Sequence, residues 1–300
     1  MKKNQQLLVI GLVCALVSAN GFAQAADRAT SDDVIFAKPA PAKPAPARPA
    51  AKADEPGEPE APSSAAADAH DYDHCLGLVK EDPQSALDYA QAWQSSNGQI
   101  SLAARHCAAL AMSALGRHHD AAILLSEVAL AMNSKPDAPK EARAEAYAQV
   151  ADAWMLANDA KKALAAIEQA LALDPQSDYL MTRANIHALA GNWNDVRIDT
   201  GKILAELPTD AEALSLRATA YRNLGALDAA LEDANRALEI APHNLTALLE
   251  RGRIKAARLD MPGARTDWRQ VVQFAREMGR EKDPRAVAAQ EFLGMGDGTK

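Results

Sequence analysis

The sequence predicts an all-α fold built from repeated helix pairs, and three observations carry that prediction. Ala and Leu supply most of the apolar content, while aromatic residues make up only 4% of the 300. That composition suits helices in close contact and is poor for sheets. No long run alternates apolar and polar residues as a half-buried strand requires. Finally, the stretch AYRNLGALDAALEDANRALEIAPHN, from Ala220 to Asn244, has residues of like type returning at a nearly constant interval on either side of it.

The chain opens with a segment of a different kind. MKKNQQ is basic, LLVIGLVCALVSA is apolar but short for a bilayer, and GFAQA offers small residues at Ala23 and Ala25. Residues 1–25 read as a bacterial secretory signal peptide cut after Ala25; the competing reading is an uncleaved anchor. Cys14 lies inside the apolar run behind Val13, which argues against lipidation. Removing this segment takes away Lys2 and Lys3 and no acid, leaving 30 basic against 40 acidic residues. An acidic exported chain is a poor candidate for nucleic acid or anionic lipid. No second apolar run reaches spanning length, so no membrane insertion is expected after cleavage, and the expected compartment is the periplasm. Residues 26–69 follow as an Ala/Pro-rich linker that holds eight of the 16 prolines. Such a segment favours extended, polyproline-like conformations over helix or sheet. It reads as a spacer, or as a tether whose basic half (Lys38, Lys43, Arg48, Lys52) touches surface anions.

The remainder, 70–300, holds the repeat. Ala218, Tyr221, Gly225, Ala230, Ala237 and Pro242 form a column set. Thirty-four residues upstream stand Ala184, His187, Gly191, Val196, Ile203 and Pro208, and 33 further upstream Ala151, Trp154, Asn158, Ala163, Ala170 and Pro175. Ala109, Met112, Gly116, Ala121 and Val128 precede them across the insertion NSKPDAPKE, and Gly252, Lys255, Leu259, Ala264 and Val271 follow. This pattern resembles the tetratricopeptide repeat (TPR) family, in five units from Gln99 to Met278. The resemblance implies a TPR α-solenoid, a right-handed superhelix of antiparallel helix pairs, each pair forming part of its neighbour's core. Small residues are expected where helices cross, Gly225 and Gly191 at first-helix ends, and Pro242, Pro208 and Pro175 where second helices stop. HCLGLVKEDPQSALDYAQAWQ reads as a degenerate first pair plugged by Trp93, and KDPRAVAAQEFLG as a capping helix with Asp283 as N-cap and Pro284 at its first position.

Two columns turn from apolar to charged together in three successive units. Arg183, Arg217 and Arg251 lie on first helices; Asp199, Asp233 and Asp267 lie on the facing ones. A ladder of structural Arg–Asp pairs within repeats is expected, because a planar guanidinium fork suits a carboxylate. Beyond the signal segment the chain keeps two cysteines, Cys75 and Cys107, and an even pair in an oxidising compartment points to a disulfide. The alternatives are two buried thiols, or a metal- or redox-responsive module built from His70, His74, Cys75, His106 and Cys107. No CxxC or HExxH spacing supports the metal.

No GxSxG, GxxxxGK[ST] or CxxCH occurs, and GMGDGTK at the end is followed by no helix to hold a phosphate. A non-enzymatic scaffold without cofactor or metal is therefore expected. The resemblance implies that the groove lined by first helices takes a protein or peptide partner. In that register Asp152, Met155, Asn185, Thr219, Arg222, Asn223 and Arg253 should face the groove, with both arginines exposed and able to meet an acidic segment. The paired Lys and Asn columns of chaperone-binding members are not reproduced.

Overall fold

The computed structural model describes residues 71–96, 101–135 and 137–294. The signal-peptide and linker readings, His70 and the segment past 294 lie outside them. Among the described residues there are thirteen α-helices and no strand. They are α1 (Tyr72–Glu81), α2 (Pro83–Ser96), α3 (Leu102–Ala114), α4 (His118–Asn133), α5 (Lys140–Leu156), α6 (Ala160–Leu173), α7 (Ser177–Ala190), α8 (Trp193–Glu206), α9 (Ala211–Asn223), α10 (Leu227–Ile240), α11 (Leu245–Ala257), α12 (Met261–Glu277) and α13 (Pro284–Gly294). None of them is long and apolar enough to cross a membrane.

Helix boundaries follow from local chemistry. Asp210 accepts from the backbone N–H of Glu212 and Ala213 at 2.9 Å to start α9, and Asn244 does the same for Thr246 and Ala247 at 3.0 Å to start α11. Asp283 caps α13 through the N–H of Arg285 at 2.9 Å. One column closes the first helix of each full unit: Gly116, Asn158, Gly191, Gly225 and Leu259 all have positive φ, between 59° and 80°. Only glycine takes that conformation without a Cβ penalty, so Asn158 and Leu259 hold it at a cost. Pro175, Pro208 and Pro242 each lie two residues past the end of a second helix.

Each first helix packs on its own second helix, and each second helix packs on the first helix of the next pair. First helices also touch one another directly: α1 reaches α3, α5 reaches α7, and α9 reaches α11. They therefore form the inner layer of the solenoid. At the crossings Ala109, Ala151, Ala184 and Ala218 face Ala121, Ala163, Val196 and Ala230, all without exposed surface, so the backbones approach closely. α13 lies on α12 and α11, with Phe292 against Trp268 at 5.0 Å between ring centroids. Trp93 is buried at the other end, in α2.

Candidate partner-binding groove

The Arg–Asp pairs organise the inner layer of the carboxyl-terminal repeats. Arg183 meets Asp199 through Nε and Nη2 at 2.8 and 2.7 Å, and Arg217 meets Asp233 at 2.7 and 2.9 Å. Arg251 meets Asp267 at 3.0 and 2.7 Å. In each pair one edge of the guanidinium donates to both oxygens of one buried carboxylate. Arg251 also donates to Asn235 at 3.1 Å, and Lys255 reaches Asp267 at 2.8 Å.

At the amino-terminal end a disulfide joins Cys75 of α1 to Cys107 of α3, with Cα atoms 6.3 Å apart. Closing a loop of 32 residues stabilises the fold by about 3–4 kcal/mol in the chain-entropy account. Next to it, His106 is buried and hydrogen-bonded on both ring nitrogens. Nε2 donates to Gln149 Oε1 at 2.6 Å, and Nδ1 faces the Tyr72 hydroxyl. Gln149 in turn donates to Glu145 at 3.3 Å, which orients its amide and fixes the neutral tautomer of His106. Burial holds the His106 pKa below its ordinary value, although the bond to Gln149 works the other way. Of the donors considered for a metal, the two sulfurs are bonded to each other and His106 is held by Tyr72 and Gln149; the His74 ring stands edge-on to Tyr89 at 5.1 Å, and His70 lies outside the described residues. The described residues contain no group of three or more His, Cys, Asp or Glu side chains that could hold a metal ion.

The groove differs from the expectation in an informative way. Arg222 and Arg253 are not exposed; 14% of each side chain is. Both are tied to Glu250, whose side chain has no exposed surface. Arg222 Nε donates to Glu250 Oε2 at 2.7 Å, and Arg253 Nη1 donates to Oε1 at 2.7 Å. Burial by itself pushes the Glu250 carboxyl up, but the two guanidiniums more than offset this and hold it below the usual range. Met155 is also not a groove residue: it is 2% exposed and lies in the core cluster with Tyr179 and Ile186 of α7. Met155 and Arg222 occupy equivalent positions, three before the positive-φ turn residue. That position packs toward the next first helix, so Met155 meets apolar neighbours there and Arg222 meets Glu250, while Arg222 also borders the cavity described next. Asp152 is half-buried and Asn223 exposed, with its amide donating to the Thr219 carbonyl at 2.8 Å; neither lines the cavity described next.

The structure gathers Asn185, Thr219, Arg222 and Arg253 around one cavity of about 450 Å³. First helices α7, α9 and α11 form its floor, the α10–α11 turn forms one side, and Met278, Arg280 and Arg285 close its end. Arg285 donates to Asp283 at 2.8 and 2.6 Å and to Thr246 Oγ1 at 3.1 Å. Burial raises the Asp283 pKa, but the bonds from Arg285 carry it below the ordinary value. Glu250, Arg280 and Arg285 were not singled out from the sequence. The signal for Glu250 was faint: Arg222 sits in a column that holds Met155, Ala188 and Ala256, Glu250 in one that holds Gln149, Thr182 and Leu216, and the two turn charged in successive units rather than in the same one. A buried charge demands a partner, but spacing within one repeat does not name it.

Residues 211–244, from the start of α9 to the N-cap of α11, match the family model described as tetratricopeptide repeat. The chain is 32% identical over 120 residues to the tetratricopeptide repeat and J domain-containing co-chaperone DNJ1 of Fusarium oxysporum. The match takes in 38% of this chain and 23% of that relative, so the chain spans less than a quarter of the relative's length. Among solved structures, a tetratricopeptide repeat protein from Parabacteroides merdae superposes with a TM-score of 0.56 at 16% identity, over 77% of this chain and 86% of the other. The carboxyl-terminal part of a TPR repeat-containing protein from Cytophaga hutchinsonii gives 0.55 at 16% identity, over 77% and 96%. At these identities the likeness speaks for the fold: the described residues form an all-α TPR solenoid.

Proposed function

We propose that this chain is a non-enzymatic scaffold, exported to the periplasm, that receives a segment of a partner protein in the groove of α7, α9 and α11. The observation that carries this is the cavity of about 450 Å³ on the inner, first-helix face, walled at one end by the capping helix. A concave site with apolar walls and a few placed polar groups is the usual form of a binding site. The fungal relative is by name a co-chaperone, and tetratricopeptide repeats generally work by protein–protein contact, which supports the same reading. The hydroxyls in the cavity are not set up as nucleophiles. Ser215 Oγ donates to the Ala211 carbonyl at 2.6 Å and Thr219 Oγ1 to the Ser215 carbonyl at 3.0 Å, each within its own helix. Export is supported by the basic-then-apolar start with small residues at Ala23 and Ala25, and by a disulfide between two buried cysteines.

The test is site-specific photocrosslinking in cells, with a photoreactive residue at Asn185 or Thr219 and, as control, at Ile123, exposed on the second helix α4. Adducts to a discrete protein from the first two positions and none from Ile123 are the expected result. Equal labelling from Ile123, or no adduct from the groove positions, overturns the reading. Loss of the adducts on Val9→Arg in the apolar leader, with the chain retained in the cytoplasm, is the outcome expected of export.

A further inference from the structure

We infer that the outer face of α4, α6 and α8, on the side of the solenoid away from the groove, is a two-fold contact surface for a second copy of this chain.

The first reason is a row of apolar side chains in register. The positions seven and fourteen residues past each positive-φ turn residue look outward from the second helices. In α4 they hold Ile123 and Leu130, in α6 Ala165 and Ala172, in α8 Ile198 and Ala205, and all six are exposed. The three large ones are exposed by between 43% and 60%. One unit further on, the same two positions hold Glu232 and Glu239 in α10, then Thr266 and Gln273 in α12, also exposed. On the other side α2 shows Gln84, Ser85 and Asp88 to solvent. The fold therefore accepts charge at these positions and asks for nothing apolar there. A contiguous apolar patch bounded by polar residues marks a contact surface, where scattered exposed leucines do not.

The second reason names the occupant. Between the two positions, eleven residues past the same turns, stand Glu127 in α4, Gln169 in α6 and Lys202 in α8. Across the face they run acid, neutral, base. A two-fold axis in the contact plane, parallel to α6, lays α4 of one copy over α8 of the other and α6 over α6. Glu127 then meets Lys202 on both sides of the axis, Gln169 meets Gln169, and the apolar rows meet each other. A surface whose charges reverse about its own middle is complementary to itself, which is what an isologous contact requires. Both charges are available for this. Glu127 is half-exposed beside Arg105, and Lys202 is half-exposed at 3.8 Å from Asp199, a carboxylate already held by Arg183. The next charges along α4 and α6 are spent within the copy, Asp120 on Arg117 and Lys162 on Asp159.

Side-chain size agrees with the shape. First helices crowd together on the inner side, so the layer of second helices is the convex one and curves away on either side of α6. Ala165 and Ala172 let the two α6 helices approach at the centre, and Ile123, Leu130 and Ile198 fill the widening gap at the flanks. Such a contact is small, so a dissociation constant of about 10–100 μM is expected. The dimer leaves both grooves open and facing apart, as a scaffold with two receiving sites.

Sedimentation equilibrium of the purified full chain between about 1 and 300 μM, which brackets that value, tests this. A reversible monomer–dimer equilibrium is expected. Ala165→Glu sets like charges against each other at the axis and should abolish the dimer over the whole range. Glu127→Lys and Lys202→Glu should each weaken it about tenfold, since each acts twice across the axis, and the two together should restore it to within about threefold. Gln273→Glu, on α12 outside the row, should change nothing. All these sites are exposed, thermal unfolding checks that each variant is folded, and the paired charge reversal decides if Ala165→Glu is not. In cells, a photoreactive residue at Ile123 should join the chain to itself, an adduct told from a partner adduct by its mass of twice the chain. A monomer at every concentration, open-ended growth beyond the dimer, a dimer indifferent to Ala165→Glu, or no recovery in the paired reversal overturns the contact. An Ile123 adduct to a different protein alone also overturns it. None of these outcomes bears on the groove, which is read from Asn185 and Thr219.

Discussion

Gly252 of α11 lies against the indole of Trp268 of α12, so closely that a Cβ at 252 would stand 2.4 Å from Nε1. One repeat earlier the same two positions hold Ala218 and Ala234, both fully buried. The last unit has exchanged two small residues for a glycine and a tryptophan. Trp268 thereby passes under α11 and reaches Phe292 of the capping helix. Gly252→Ala should destabilise the protein by about 1–3 kcal/mol, through overpacking against a rigid ring. Trp268→Phe in the same chain should recover part of that loss, since Trp268 Nε1 has no hydrogen-bond partner to forfeit. Denaturant unfolding of the two single variants and the double variant measures the coupling; additive losses would show that the ring does not limit position 252.

Leu259 stands in the left-handed region with φ 68° and is 89% exposed. It has strain and little burial to offset it. Leu259→Gly should therefore stabilise the protein by about 1 kcal/mol. Asn158→Gly, at the equivalent turn, should gain less, because Asn tolerates this conformation better. Chemical denaturation of both variants checks the order of the two gains.

The Arg217–Asp233 pair gives a sharp contrast between single and double replacement. Asp233→Ala strands a guanidinium whose side chain is only 19% exposed and should cost about 3 kcal/mol. Arg217→Met with Asp233→Leu removes both charges at similar volume and should cost far less, within about 1 kcal/mol of the parent. A double variant as unstable as the single one, in the same unfolding assay, would mean that the ion pair itself stabilises the repeat strongly.

His106 makes stability depend on pH. Its folded pKa is held below the ordinary 6.5 by burial, so the folded state stays neutral where the unfolded chain takes up a proton. Below about pH 6.5 the unfolded state binds more protons, and stability falls as pH falls until the folded pKa is reached. His106→Gln should flatten this slope while keeping a polar group between Tyr72 and Gln149. Unfolding midpoints between about pH 7 and 5 test it, the window lying on the acid side of the unfolded value; an unchanged slope in the variant would assign the dependence to other groups.

The periodic part of the fold was legible in the residues. Small residues at crossings, a turn column at the end of first helices and prolines beyond second helices are requirements of backbone geometry, and they recur because every unit meets the same neighbours. The Arg–Asp geometry was legible for the same reason: two columns changed character together, and a buried charge needs a partner at fixed spacing. The groove was not legible to that degree. Whether position 222 faces solvent or the next first helix depends on how one repeat is rotated on another, and spacing along the chain does not carry that rotation. Arg280 and Arg285 come from beyond the last full repeat, outside any column, and reach the cavity only because α13 folds back over α11 and α12. The sequence alone determined a stack of helix pairs and its internal ion pairs, because these are set within a repeat or between adjacent ones. The tertiary structure decided which cations share a carboxylate, because that depends on side chains from four separate elements meeting at one end of the stack.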